Sequence, residues 1–322
     1  KETPDPLGPI PEVRQAIAEA TAVLNRYPHT GGYELTRAIA AHHGVPPESV
    51  WIGAGSSEVL RCIALSVGGP GTSAVYAAPS CVMYTIGTMI SGSEPIMVPL
   101  DESFDHDLDA MLDAIRDDST VVYVCNPNNP TGGFRSAADV ETFLDAVPED
   151  VTVVVDEAYF EYVTDASYGT MKHRAVESPN VVVTRTFAKV YGLAGLRVGY
   201  GIGNPDHIDV LRTPQAPFSV NTLAQVTAIT ALLPTDTIDA RVAENAAGRT
   251  LLADGLTTLG YDVAPSQTNF VYFEPDRDPS ELSRALTEHG SVVRVLGPGV
   301  RVTVGTPDEN RRFLAVMEEL HA

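Results

Sequence analysis

Three short apolar runs constrain this chain most: Thr120–Cys125, Val151–Val155 and Asn180–Thr184. Each is rich in β-branched residues, too short for a helix, and closed by polar or Gly/Pro residues. Apolar side chains fall on successive positions rather than alternate ones, so a strand built from them must be covered on both faces. Helical patterns lie between the runs, at Leu108–Ile115 and Ala137–Ala146. This alternation predicts an α/β layer fold with a mostly parallel sheet sandwiched by helices. With 322 residues the chain is long enough for a large domain and a smaller second one.

The division is expected near the Pro-rich stretch Arg212–Asn221. Beyond it, a helical pattern runs from Thr222 through Arg249. Strand-like segments follow at Asn269–Phe273 and Gly299–Val304, then a last helix at Pro307–Leu320. This reads as a large domain over 23–215, a smaller α+β domain over 216–322, and an N-terminal arm, 1–22, packing with the small domain. The chain opens on Lys1 rather than Met, so a lost or processed start is expected. No apolar run reaches the roughly 18 residues that a membrane-spanning helix needs. A net charge of -21 argues against nucleic-acid and anionic-membrane partners. Cys62, Cys81 and Cys125 fit no zinc or redox spacing, which suits a reducing cytoplasm. The eight histidines are scattered, the pair His42-His43 reads as solvated, and no metal site is expected.

Candidate chemistry gathers where strands run into polar loops. Ligands of open parallel sheets bind beyond the carboxyl ends of the strands. Asp156-Glu157-Ala158-Tyr159 stands at such a place, although an acid there serves equally well as a helix cap. The loop Thr184–Arg197 (TRTFAKVYGLAGLR) carries Lys189, one of only three lysines beside eighteen arginines. Its small, apolar surroundings and the nearby Arg185 and Arg197 would lower a lysine's proton affinity. The turn Cys125–Gly132 (CNPNNPTG) combines two prolines with three asparagines, a rigid turn expected to hold its amides outward. Gly53–Leu60 (GAGSSEVL) is a Gly/Ser loop opening a helix, suited to phosphate through free N–H groups or simply an N-cap.

Together NPNNPTG, DEAY and RTFAKVYGLAGLRVGY resemble the fold-type-I aminotransferases, in that family's order and spacing. Asn25-Arg26-Tyr27-Pro28 and the closing RVTVGTPDEN (301–310) are similar to the histidinol-phosphate branch, which includes aromatic aminotransferases. The resemblance implies a seven-stranded sheet, pyridoxal 5'-phosphate as cofactor and a homodimer with active sites at the interface. It implies that Lys189 forms the Schiff base and acts as general acid and base, and that Asp156 pairs with the ring nitrogen. Asn129 and Tyr159 would meet the ring oxygen. Ser56, Ser57, Thr186 and Arg197 would hold the phosphate, with Tyr27 reaching it from the neighbouring subunit. Cys81 would lie against the ring where an aromatic residue is usual, with Tyr84 as a candidate to compensate, and Ala188 replaces a usual serine. Arg301, with Asn129, would bind the substrate carboxylate, and Arg294 its distal group. The implied reaction exchanges an amino group between a donor such as glutamate and a 2-oxo acid or an imidazole aldehyde phosphate. The alternatives are an aromatic aminotransferase, or a decarboxylase, lyase, cyclase or oxidase on the same scaffold.

Overall fold

The computed structural model describes residues 6–233 and 236–321, so residues 1–5 of the expected arm lie outside the described residues. Seven strands build the main sheet: β1 (Val50–Gly53), β2 (Ser73–Ala78), β3 (Glu94–Pro99), β4 (Ser119–Cys125), β5 (Thr152–Asp156), β6 (Val181–Thr186) and β7 (Gly199–Gly203). Their order is β1-β7-β6-β5-β4-β2-β3. β7 runs antiparallel to both neighbours, while the contacts from β6 through β3 are parallel. The three apolar runs are β4, β5 and β6 at the centre of this sheet. Val122, Val124, Val153, Val155 and Val183 enter one core. Their alternates Val121, Tyr123, Val154 and Val182 enter the core on the opposite face. Double coverage is why the runs show no polar alternation.

A second, antiparallel sheet has the order β10-β11-β9-β8. Its strands are β8 (Asp262–Val263), β9 (Phe270–Glu274), β10 (Arg294–Leu296) and β11 (Gly299–Thr303). It shares a core with Leu252, Leu256, Leu282, Leu286, Phe313 and Met317. The helical pattern expected to continue from Thr222 is two helices, Thr222–Ala231 and Asp236–Thr258. The first of these packs on helix Pro11–Ala20. Ile10, Val13, Ala224 and Ala228 all join the core of the main sheet.

The long helix Asp236–Thr258 changes character along its length. Leu252 and Leu256 are apolar, but the buried residues ahead of them are Arg241, Asn245 and Arg249, each four residues apart on one face. This ridge is satisfied by main-chain carbonyls. Arg241 donates to Val190 O at 3.0 Å and Gly8 O at 2.6 Å. Asn245 and Arg249 both donate to Thr268 O at 3.0 Å. The ridge therefore joins the N-terminal segment, the Lys189 loop and the approach to β9. The backbone of Gly8 lies so close to Gly192 that a Cβ there would come within 2.8 Å of it.

Strand alternation also sorts charge between the faces of the main sheet. Asp156 and Thr184, paired across β5 and β6, share one face. Glu157 and Arg185, one residue further along each chain, point to the other face and form a fully buried ion pair at 2.6 Å. The Arg185 guanidinium lies 3.6 Å from the centroid of Phe160 and also meets Thr170 and His43. His43 is buried, against the expectation that it is solvated, and its Nε2 is 2.6 Å from Tyr200 Oη. Helix Tyr33–His43 turns this end of the pair inward, beneath β7.

Removing one partner of a buried ion pair strands the other charge, so Arg185→Met is expected to lower the unfolding free energy by about 3–5 kcal/mol in urea titrations. Burial first, and then Arg185, hold the His43 pKa down at about 2, against an ordinary 6.5. The unfolded chain takes up this proton and the folded chain does not. Stability from His43 is thus complete above pH 6.5 and falls as pH drops towards 2, by up to about 1.4 kcal/mol per unit. Urea midpoints of His43→Gln should show a shallower decline than the parent between pH 6.5 and 5.

Candidate active site

The carboxyl edge of the main sheet presents the ends of β1, β2, β4, β5 and β6 together, and each leads into one of the loops singled out above. Asp156 closes β5 and is 3% exposed. Its Oδ2 accepts from Tyr84 Oη at 2.9 Å and its Oδ1 from Thr184 Oγ1 at 3.0 Å. Burial raises its pKa, and the donors and the Lys189 charge oppose that rise. Lys189 follows β6 within a turn closed by Gly192 N–H donating to Lys189 O at 2.8 Å. Its Nζ lies 4.8 Å from the centroid of Tyr159. Tyr159 is itself fixed edge-on against Phe270 of β9, with centroids 5.2 Å apart. An amine, a phenol and a buried acid thus share one neighbourhood.

In the turn after β4, two of the three amides point inward rather than outward. Asn126 exchanges hydrogen bonds with the Arg135 backbone. Asn128 is buried among Ser80, Pro79 and Thr131. They rigidify the turn, because buried amides need their partners close by. Asn129 is the one aimed at the second sheet, where its Oδ1 accepts from Arg301. Gly132 (φ +88°) lets the turn press against Ser266, which a Cβ would strike at 2.2 Å. Arg301 lies on β11 with its guanidinium 5.0 Å from the Phe270 centroid. Arg294 stands directly opposite it on β10. Cys81 caps helix Val82–Ser91 and lies close enough to Asp156, Lys189 and Arg301 to feel their charges. Burial, then Asp156, push its pKa up to about 12, so it remains a neutral thiol.

A second cluster forms where β1 and β7 start their loops. Ser56 and Ser57 open helix Ser56–Val67, preceded by Gly55 at φ +78°. A Cβ on Gly55 would come within 2.5 Å of the Arg197 guanidinium, and one on Gly199 within 2.3 Å of Ser56 N. Two glycines therefore let helix start, β7 and Arg197 converge. Thr186 pairs with Gly199 in the sheet, and its hydroxyl accepts from Ala188 N–H at 3.1 Å. Amides at a helix start, hydroxyls and a guanidinium make a donor set suited to a phosphate. Tyr27 stands apart from these, 84% exposed, with its ring 5.0 Å from Phe218. It lines the same cleft of about 720 Å³ as Arg197. The donor sets match pyridoxal phosphate part by part: an acid for its ring nitrogen, amide and phenol for its oxygen, an amine for its carbonyl, and the glycine-shaped cradle for its phosphate. Among the described residues no group of three His, Cys, Asp or Glu is arranged to hold a metal.

Sequence reasoning placed Arg185 beside Lys189 as a second cation. Its charge instead belongs to Glu157 on the far face of the sheet. Tyr84 is not an exposed ring face either, since it is fully buried and stacked on Tyr123 at 4.6 Å. His106 went unnoticed although it is buried and its Nε2 accepts from Cys125 N–H at 3.3 Å, just ahead of the asparagine turn. Phe270, which backs both Tyr159 and Arg301, appeared only as part of a strand.

The model of the family "Aminotransferase class I and II" matches residues 3–317. An aromatic amino acid aminotransferase of Rhodococcus jostii is 43% identical over 310 residues, 96% of this chain and 86% of that protein. Histidinol-phosphate aminotransferase 1 of Cupriavidus pinatubonensis is 40% identical over 98% of this chain and 85% of its own length. The histidinol-phosphate aminotransferase of Sinorhizobium meliloti, solved with pyridoxal-5'-phosphate, superimposes with a TM-score of 0.93 at 28% identity, covering 99% of this chain and 89% of that one. With its seven-stranded sheet, its Lys189 loop and this match along nearly its whole length, the chain belongs to the class I and II aminotransferases.

Proposed function

We propose that this enzyme binds pyridoxal 5'-phosphate through Lys189 and transfers the amino group of an aromatic amino acid to a 2-oxo acid. The observation that carries the reading is Lys189 Nζ over Tyr159, beside the buried carboxylate of Asp156. When bound, the cofactor supplies an electron sink that makes the substrate's Cα–H acidic. The chain supplies everything else. The Asp156 carboxylate would hold the ring nitrogen. Asn129, whose Oδ1 accepts from Arg301, and Tyr159 would hold the ring oxygen. Ser56, Ser57, Thr186 and Arg197 would bind the phosphate, and Cys81 would lie against the ring as an uncharged thiol. Arg301 takes the substrate α-carboxylate in bidentate fashion. Lys189 Nζ would be the base that takes the substrate's Cα proton and the acid that returns it.

Aromatic substrates stand first because curated relatives named for that activity are 43–44% identical to this chain. Histidinol phosphate is the second reading. Arg294 across from Arg301 would provide a second cation facing the phosphate of such a substrate. The 84% exposure of Tyr27 supports a homodimer in which it completes the partner's phosphate site. Three free cysteines suit a reducing compartment such as the cytoplasm. No helix among the described residues is long and apolar enough to cross a membrane. The division at residues 22 and 215 into arm, large and small domains is likewise a proposal. In support, the core under β8–β11 is distinct from those of the main sheet, although helices Pro11–Ala20 and Thr222–Ala231 side with the main sheet.

Lys189→Ala is expected to lose at least about 10³-fold in kcat while keeping its circular-dichroism spectrum; turnover near the parent's would overturn the assignment. Mixing the cofactor-loaded enzyme with phenylalanine, tyrosine or histidinol phosphate should change the cofactor's absorbance with the true donors. Arg294→Ala should leave phenylalanine turnover intact and raise KM roughly ten-fold or more for histidinol phosphate if that compound is used. Release of CO2 with no such half-reaction would replace transamination by decarboxylation.

A further inference from the structure

Tyr84 belongs to none of the roles above, yet it touches the most deeply buried acid of the site. Its ring is held on two sides, stacked on Tyr123 at 4.6 Å and edge-on to Tyr76 at 6.0 Å. Its hydroxyl, 2.9 Å from Asp156 Oδ2, has no freedom to leave. The phenol is pushed well above its ordinary range by burial and then by Asp156. The bond consequently runs one way: Tyr84 donates and the carboxylate accepts.

The other groups facing Asp156 leave this donor much to do. Thr184 supplies Oδ1 with one neutral hydroxyl at 3.0 Å, and the Ala158 backbone N–H donates as well, but Tyr84 opposes the effect of burial most strongly. Cys81 and Cys125 are neutral thiols, both raised by burial first and Asp156 second. Lys189 is the cation whose charge reaches the carboxylate, and that charge is altered when its amine is engaged in chemistry. Burial meanwhile favours the protonated acid, which lacks the negative charge that stabilises a protonated ring nitrogen. A hydrogen bond to the ionised form is the counterweight that persists throughout, and one made to a charged acceptor is stronger than a neutral one.

We propose that Tyr84 is a positioning residue that keeps Asp156 ionised and aimed at the cofactor's ring nitrogen. The inference rests on the reading of Asp156 as the partner of that nitrogen. It explains why a tyrosine occupies the sheet-facing side of helix Val82–Ser91: the ring belongs to the core, and the hydroxyl to the site.

The test compares two ligands of the apoenzyme, pyridoxal phosphate and its 1-deaza analogue, in which the ring nitrogen is replaced by C–H. The parent is expected to prefer pyridoxal phosphate. Tyr84→Phe should keep its thermal midpoint within a few degrees, lose roughly ten-fold in affinity for pyridoxal phosphate, and change little towards the analogue. In the loaded enzyme kcat should fall about ten-fold with KM for the amino donor unchanged, since Tyr84 does not touch substrate. Tyr84→His, which restores a donor, should recover part of the preference. Equal losses for both ligands, or a preference left intact in Y84F, would overturn the role of Tyr84. A parent with no preference would instead overturn the reading of Asp156. Should Y84F fail to fold, Thr184→Val in the parent background supplies the check: with Tyr84 still donating, at least half of the preference, on a logarithmic scale, should survive, and its complete loss would count against Tyr84 as the main donor.

Discussion

Asp156 is a carboxylate placed where water cannot reach it, and much of the site follows from that placement. β5 is the central strand of a sheet covered on both faces, so its last residue emerges with apolar neighbours on either side. A charge there requires donors from adjacent elements. Thr184 comes from β6 in register, Tyr84 from the helix beneath, and Lys189 from the loop that follows β6. Each of these contacts also sets the height and angle of a loop at the carboxyl edge. The acid thus organises the geometry into which a cofactor would fit.

The period of two along a strand does the rest of the sorting. Neighbours in sequence, Asp156 and Glu157, face opposite ways and lead separate lives. Glu157 is spent on Arg185 in a buried pair that ties β5 to β6, and His43 and Tyr200 extend that network to β7. Structural charge is thereby kept on one face and reactive charge on the other. Lys189 meets Asp156 without competition from Glu157, and Arg185 does not repel it from alongside.

What could be read from residues alone divides along the same physical lines. β4, β5 and β6 were legible because double burial leaves an unbroken apolar run, and Asp156 and Lys189 stood out as polar residues at the ends of such runs. β7 did not, since its Gly199-Tyr200-Gly201 pattern carries little strand signal. The helix Asp236–Thr258 hid its packing because its inward face is polar for two turns. Tyr84 and His43 look ordinary in sequence, because their partners lie 72 and 157 residues away and only the fold brings them together. The inward turn of Asn128 depends on Ser80 and Pro79 of a neighbouring loop, and that of Asn126 on the Arg135 backbone nine residues on, which no local pattern reveals.

The ridge Arg241–Asn245–Arg249 is bonded chiefly to main-chain carbonyls: those of Gly8, Val190 and Thr268. Every residue type offers a carbonyl, so the seam's own hydrogen bonds do not depend on which side chains stand at 190 and 268. What the seam cannot absorb is a change of chain length, because an inserted or deleted residue would carry the acceptor out of reach. The joint is tolerant of substitution and strict about indels, and variation among close homologues around it should be written in letters rather than in gaps.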